Sequence, residues 1–186
     1  MKRGRTRYDD AEHPIFVTTT ITDHINVFNK SNCAKKALEL LEEVRGKYEM
    51  KIYSYCLMSN HIHLILQSKK NGDLSNFMRE WKSLSAKEIL NFAEENSPEL
   101  LKQFEDSAKK YHLSSQQKYH IWASRFDDLQ LRTSEIVKVK FNYIHDNPVR
   151  KRIVVNSWQF KYSSASWYET RRESIVRLSD IRTIMY

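Results

Sequence analysis

Short runs rich in β-branched and aromatic residues alternate along the chain with longer segments in which apolar residues recur every three or four positions. Runs of the first kind are typical of strands, and the Ser59-Asn60 pair between two of them favours a hairpin turn. The predicted strands cover residues 15–22, 51–58 and 61–67, and two shorter strands are expected within 119–131, around Asp127-Asp128.

Helical spacing of apolar residues predicts a first amphipathic helix before the hairpin and a long central helix after it. Asp73 is the expected cap of the central helix, and Pro98 should end it. The stretch that follows is predicted to be helical but peripheral. Ser134 should cap a last helix that ends before Pro148, because the residue preceding a proline disfavours helical geometry.

The order of these elements indicates an α+β fold, a ferredoxin-like antiparallel sheet with helices packed against it. The length suits one domain over residues 1–186, with a basic N-terminal arm at 1–10 and a helical insertion at 95–117. The aromatic tail after Arg150 should pack back on this domain. The sequence shows neither a membrane-spanning run nor a signal peptide, so a cytoplasmic, nucleoid-associated bacterial protein is expected.

Basic residues outnumber acidic ones, with 31 Lys and Arg against 23 Asp and Glu and a formal net charge of +8 at pH 7. Each contact with a phosphate releases counterions, so this balance favours a polyanionic partner such as nucleic acid. It is also compatible with an ordinary basic protein. Trp81 and Trp122 could stack on an unpaired base, but their apolar neighbours favour core positions.

Two histidines stand close together in the third predicted strand, within Asn60-His61-Ile62-His63-Leu64. Alternate side chains of a strand share a face, so His61 and His63 should point the same way while Ile62 and Leu64 point into the core. Two imidazoles placed in this way can bind one divalent cation. The alternative is a pair of half-exposed histidines on a polar sheet face, and a third ligand would decide between the two.

The predicted last helix contains a candidate third ligand. Tyr143 and Asn147 are neighbours one turn apart, and Lys140 lies on the same stripe, off the centre of the apolar face. Tyr143 is placed as a reacting phenol or, alternatively, as an ordinary interface tyrosine. A phenol is a weak nucleophile that needs a cation on the phosphate it attacks. The histidine pair and the Asn147 amide oxygen suit Mg²⁺ or Mn²⁺, and Lys140 could stabilise the phenolate.

These segments resemble the signatures of a known family. His61-Ile62-His63 looks like the motif of HUH nucleases, in which two histidines flank a hydrophobic residue. Tyr143-Ile144-x-x-Asn147-Pro148-Val149 is similar to the tyrosine helix of REP-associated, IS200-like tyrosine transposases. Further matches, in the family's order over about residues 14–168, are Tyr55-Cys56-Leu57-Met58-Ser59-Asn60-His61, Phe77-Met78-Arg79-x-Trp81-Lys82-Ser83, Ile121-Trp122-x-x-Arg125-Phe126 and Tyr162-Ser163-Ser164.

The resemblance implies a homodimeric enzyme that cuts and rejoins hairpins in single-stranded DNA. Tyr143 would form a 5′-phosphotyrosine and release a 3′-hydroxyl, with Mg²⁺ or Mn²⁺ on His61, His63 and Asn147. His145 is not demanded by the pattern and is expected behind the metal ligands or at the solvent surface. The expected DNA contacts are Arg79, Lys82, Arg125, Lys140, Arg150 and, on the flexible arm, Arg3, Arg5 and Arg7.

Two other functions are compatible with the same residues. The first is a domesticated protein that binds or processes hairpin DNA on the same scaffold. The second is a metal-dependent hydrolase that uses water as its nucleophile. The hydrolase would form no covalent DNA adduct and would lose little activity on Tyr143→Phe, whereas the transposase would lose its chemistry.

Overall fold

Four antiparallel strands form one sheet in the computed structural model, which describes residues 12–70, 73–114 and 117–185. The strands are β1 (Ile15–Thr20), β2 (Lys51–Leu57), β3 (His61–Gln67) and β4 (Asp127–Gln130), in the order β2-β3-β1-β4. The predicted hairpin joins β2 to β3, and β1 pairs with both β3 and β4. The predicted antiparallel α+β architecture is confirmed.

Helices cover both faces of this sheet. They are α1 (Ser31–Lys47), α2 (Asp73–Asn96), α3 (Pro98–Lys110), α4 (Ser134–Arg150) and α5 (Ala165–Thr170). The helices α1 and α2 pack on the face to which β1 directs Ile15 and Val17, and their side chains join the larger core there. The helix α4 packs on the opposite face, where Ile144 belongs to a second buried core together with Phe16 and Ile65. Strand alternation thus separates two cores, each with its own helical cover.

The segment 119–131 contains one strand, not the two that its sequence predicts. Residues before β4 pair with the end of β1 only through an isolated bridge between Ile21 and Trp122. The Ala123 N–H donates to the Thr20 carbonyl at 2.9 Å, and beyond Thr20 the chain turns into a 3₁₀ helix. Because β1 does not continue beyond Thr20, the residues before β4 have no neighbouring strand with which to form a second run of paired residues.

Both predicted ends of the last helix need correction. Thr133, rather than Ser134, is its N-cap, and the Thr133 hydroxyl accepts a hydrogen bond from the Ile136 N–H. The helix also continues through Pro148 to Arg150. Proline removes one N–H from the ladder, but near the end of the helix the following turn still closes, because the Lys151 N–H donates to the Asn147 carbonyl at 3.0 Å.

The helix α3 lies within the predicted insertion, and it is less peripheral than its sequence indicates. Phe104 is 0% exposed and Leu100 is 8% exposed, and both belong to the larger core. Ser107 and Lys110 donate hydrogen bonds to the Asp23 carboxylate, which attach α3 to the turn after β1. One residue separates the end of α2 from Pro98, where α3 begins, so the predicted break at this proline is confirmed.

The tail packs back along the outer edge of β2, as its aromatic residues predict. Its backbone bonds to the edge strand at three places: Leu57 N–H to the Tyr162 carbonyl (2.9 Å), Ser164 N–H to the Tyr55 carbonyl (3.0 Å) and Ser179 N–H to the Ile52 carbonyl (2.8 Å). Covering an edge in this way blocks pairing with other chains. Within the described residues, no helix is both long and apolar enough to span a membrane.

Candidate active site

The two histidines of β3 lie on the sheet face that α4 covers. Their ring centroids are 4.8 Å apart, while Ile62 and Leu64 are fully buried in the opposite core. His63 is 4% exposed and His61 is partly exposed at the start of the strand. The shared face predicted from strand alternation is therefore observed.

Hydrogen bonds hold one nitrogen of each ring and fix its orientation. Thr18, directly opposite on β1, places its hydroxyl 2.7 Å from Nδ1 of His63. Nδ1 of His61 lies 2.7 Å from the amide oxygen of Asn60, whose nitrogen donates to two acceptors of the 24–26 turn. When Nδ1 donates, the Nε2 lone pair is free to bind a metal. Nε2 of His63 is buried without a hydrogen-bond partner among the described residues.

The surroundings keep both imidazoles neutral. Burial, together with a smaller contribution from the positive charge of Lys151, lowers the pKa of His61 to about 4. Burial also lowers the pKa of His63 to about 3, with contributions from His61 and Lys140. A neutral imidazole is the form that can coordinate a cation, so both rings are in the protonation state that a metal site would require.

Tyr143 projects from α4 onto this pair. Its ring centroid lies 5.2 Å from that of His63 and 6.0 Å from that of Phe16, with edge-to-face geometry in both cases. Two cations flank the same ring, because Lys140 Nζ lies 5.5 Å and Arg150 Cζ 5.7 Å from its centroid. The half-buried phenol and the histidine pair therefore meet within a single chain.

Asn147 lies one turn after Tyr143 and is 7% exposed. Its amide nitrogen donates to the Tyr143 carbonyl at 3.3 Å, so the amide oxygen is its potential ligand atom. Within the described ranges, no group of three His, Cys, Asp or Glu side chains could hold a metal. A metal site at the histidine pair would therefore depend on an amide oxygen, or on atoms of a bound substrate, as its third ligand.

His145 is neither solvent-facing nor directed at the histidine pair. It is 7% exposed, its Nε2 lies 2.8 Å from the Ser164 hydroxyl, and its ring packs 4.4 Å from that of Phe141. Burial lowers its pKa to about 4. The expectation for this residue is corrected, because the helical step from Tyr143 to His145 turns the imidazole toward the tail.

The basic residues proposed as DNA contacts fall into separate groups. Lys140 and Arg150 flank Tyr143, as described above. Arg79 and Lys82 line a groove beside α2 on the other face of the sheet, and Arg125 is exposed just beyond it. The basic arm, with Arg3, Arg5 and Arg7, lies outside the described residues.

Both tryptophans of the matched segments are core residues. Trp81 is 0% exposed and its indole N–H donates to the Ala37 carbonyl at 2.9 Å. Trp122 is 5% exposed and donates to the Ser85 hydroxyl at 3.1 Å. The core positions that their apolar neighbours predict are confirmed. Sequence patterns did not identify Thr18 and Asn60 as orienting residues, because those roles depend on contacts across strands and turns.

The family model described as "Transposase IS200 like" matches residues 13–147, most of the chain. The chain belongs to the IS200-like transposase family. The solved structure of a REP-associated tyrosine transposase bound to a REP hairpin superposes on this IS200-like transposase with a TM-score of 0.63. The sequences are 17% identical, and the match covers 97% of this chain and 93% of the other. At that identity the likeness establishes the fold.

A second solved structure, of a proposed transposase from Deinococcus radiodurans R1, has a TM-score of 0.45 and 15% identity to this IS200-like transposase. The match covers 78% of this chain and 97% of the Deinococcus chain. No curated protein matches the sequence.

Proposed function

We propose that this IS200-like transposase cleaves and rejoins single-stranded hairpin DNA, with Tyr143 as the nucleophile and Mg²⁺ or Mn²⁺ on His61, His63 and Asn147. One observation carries the proposal. The Tyr143 ring centroid lies 5.2 Å from that of His63, whose buried Nε2 has no hydrogen-bond partner among the described residues. A buried polar atom without a partner is costly unless a ligand satisfies it.

The residues present suit a divalent cation. Two neutral imidazoles and one amide oxygen would leave coordination positions for phosphate oxygens or water. The bonds from Thr18 and Asn60 to the Nδ1 atoms provide the orientation that metal-binding histidines usually receive from a neighbouring acceptor. When bound, the cation would neutralise charge on the scissile phosphate and align it with the phenol.

The chemical step exchanges one phosphodiester bond for another. The Tyr143 phenolic oxygen attacks the phosphorus, and the bond from phosphorus to the 3′-oxygen of the preceding nucleotide breaks. The phenol loses its proton, the leaving oxygen gains one, and the products are a 5′-phosphotyrosine and a 3′-hydroxyl. Rejoining is the reverse attack by a 3′-hydroxyl, so no external energy source is required. Lys140 and Arg150 would stabilise the negative charge that develops beside the tyrosine ring.

Hairpin DNA is proposed as the substrate because the REP-associated transposase with the same fold binds a REP hairpin. The net charge of +8 supports a nucleic-acid partner. A homodimer is proposed from the family resemblance. The meeting of Tyr143 with His63 does not depend on dimerisation, since both residues belong to the same chain.

The decisive experiment incubates the protein with labelled single-stranded hairpin DNA from the flanks of its gene, together with Mn²⁺ or Mg²⁺. A covalent protein–DNA band on a denaturing gel is expected, and it should disappear with Tyr143→Phe or with chelator. Tyr162→Phe, which removes a hydroxyl from the tail, is the matched control and should retain the band. Cleavage without attachment would indicate water as the nucleophile, and binding without cleavage would indicate a DNA-binding protein on the same scaffold.

A further inference from the structure

A groove of about 450 Å³ lies between α2 and the segment that leads into β4. It opens on the sheet face opposite Tyr143, because α2 packs against the larger core. Side chains from two parts of the chain form its polar and aromatic walls: Arg79, Lys82, Ser83, Tyr119, Ser124 and Phe126. A concave site of this size falls within the range of about 300–1,000 Å³ that is usual for small-molecule pockets.

The groove is electropositive. Lys82 is half-buried, and its ammonium donates to the Ala123 carbonyl at 2.5 Å. Burial lowers the pKa of Lys82 to about 8. The Arg79 guanidinium stands exposed at the rim, and none of the described residues that line the groove is acidic. An ammonium that has lost part of its hydration is stabilised more strongly by an anion, such as a phosphate, than by a neutral carbonyl.

The floor of the groove is joined to the histidine pair through the end of β1. Lys82 bonds to Ala123, and the Ala123 N–H donates to the Thr20 carbonyl at 2.9 Å. Thr20 lies directly opposite His61 in the pairing of β1 with β3. The groove and the active site are therefore attached to the same end of the sheet, on opposite faces. A strand of DNA that passes this end can reach both.

We propose that the groove binds an unpaired nucleotide of the DNA strand that enters the active site, with its phosphate at Arg79 and Lys82 and its base against Tyr119 and Phe126. The inference depends on the proposed function for the identity of the substrate. Proteins read duplex DNA with elements that protrude into its grooves, whereas a concave pocket with aromatic walls accepts a base that has left the stack. The basic, aromatic lining favours a single-stranded flank of the hairpin.

The test measures DNA binding by the full chain in the Tyr143→Phe background, so that no covalent product forms. Fluorescence anisotropy compares a hairpin that carries a single-stranded flank with the same hairpin without it. The flank should strengthen binding, and Arg79→Ala or Lys82→Met should reduce that gain roughly tenfold through the lost charged contact. Either substitution should weaken binding of the bare hairpin by a smaller factor. Lys87→Ala, exposed on the same helix and outside the groove lining, is the matched control and should keep the full gain.

An abasic substitution moved along the flank then locates the bound base. One position should weaken binding when its base is removed, and this penalty should be absent in Phe126→Leu. Circular dichroism verifies that the half-buried Lys82→Met variant is folded, and the exposed Arg79→Ala variant provides an independent measurement. The proposal is overturned if the flank adds nothing, if its gain survives both substitutions, or if Lys87→Ala reduces it equally.

These outcomes are separate from those of the covalent assay. A wild-type protein that forms the adduct, with groove variants that keep the flank gain, would contradict the groove and leave the proposed function standing. Loss of the gain in the groove variants, together with no adduct from the wild type, would support a single-strand binding groove and contradict the proposed chemistry.

Discussion

Replacing Ser164 with alanine should weaken the attachment of α4 to the sheet. Ser164 is 0% exposed, and its hydroxyl oxygen accepts a hydrogen bond from the Tyr55 backbone N–H at 2.9 Å. The same oxygen lies 2.8 Å from Nε2 of His145 on α4. One hydroxyl therefore joins the edge strand to the helix that carries Tyr143. A methyl group in its place would leave both partners buried and without this bond.

The size of the effect follows from those two partners. Each buried polar group that loses its partner costs about 1–3 kcal/mol, so the pair predicts a decrease of roughly 2–6 kcal/mol in the free energy of unfolding. The Ser164 hydroxyl also donates to the Tyr55 carbonyl at 3.2 Å, but that carbonyl keeps a partner in the variant, because the Ser164 backbone N–H donates to it at 3.0 Å. The free energy of unfolding of a whole domain is about 5–15 kcal/mol, so this decrease is a large fraction of it. The melting temperature should fall by about 4–24 °C.

Urea denaturation followed by circular dichroism measures this decrease. Ser166→Ala, a half-buried position in the same segment, is the matched control and should change the free energy of unfolding by about 0.5 kcal/mol or less. At a temperature where both variants are folded, Ser164→Ala should also form the covalent DNA adduct more slowly, because Tyr143 is held less firmly. Equal stability of the two variants would refute the reasoning.

Two further predictions concern the buried imidazoles. Burial lowers the pKa of His63 to about 3 and that of His145 to about 4, against about 6.5 in an unfolded chain. The unfolded state therefore takes up protons first as the pH falls, so metal-free stability should be complete above about pH 6.5 and should decline toward pH 4, by roughly 3 kcal/mol for His145. Urea titrations at a series of pH values measure this, and a flat profile would contradict it. Thr18→Val removes the Nδ1 partner of His63 and should weaken Mn²⁺ binding about 10- to 100-fold in calorimetric titration. Thr19→Val removes a buried hydroxyl that has no partner among the described residues, so it should leave Mn²⁺ binding unchanged and should not lower the free energy of unfolding. Equal effects of the two variants on Mn²⁺ binding would count against an orienting role for Thr18.

The residues that share each face of the candidate site could be predicted from the sequence because that grouping depends on local periodicity. Alternation in a strand places His61 and His63 on one face whatever the rest of the chain does. Helical spacing likewise brings Lys140, Tyr143 and Asn147 to one side of α4. These patterns extend over only a few residues, so the strand, the helix and the candidate ligands were predictable from them. The end of α4 was not, because the turn after Pro148 closes through hydrogen bonds that a pattern does not reveal.

Only the tertiary structure decided that these local features meet. α4 packs on the histidine face because Ile144 is buried in one apolar core with Phe16 and Ile65, which come from different strands. The bond between Tyr55 and Ser164 joins residues 109 positions apart. Such contacts depend on the burial of distant apolar surfaces and on strand register, and neither leaves a signal at the contacting residues themselves. The candidate reactive residues were therefore apparent from the sequence, and the candidate site they form became apparent only with the packing of α4 on the sheet.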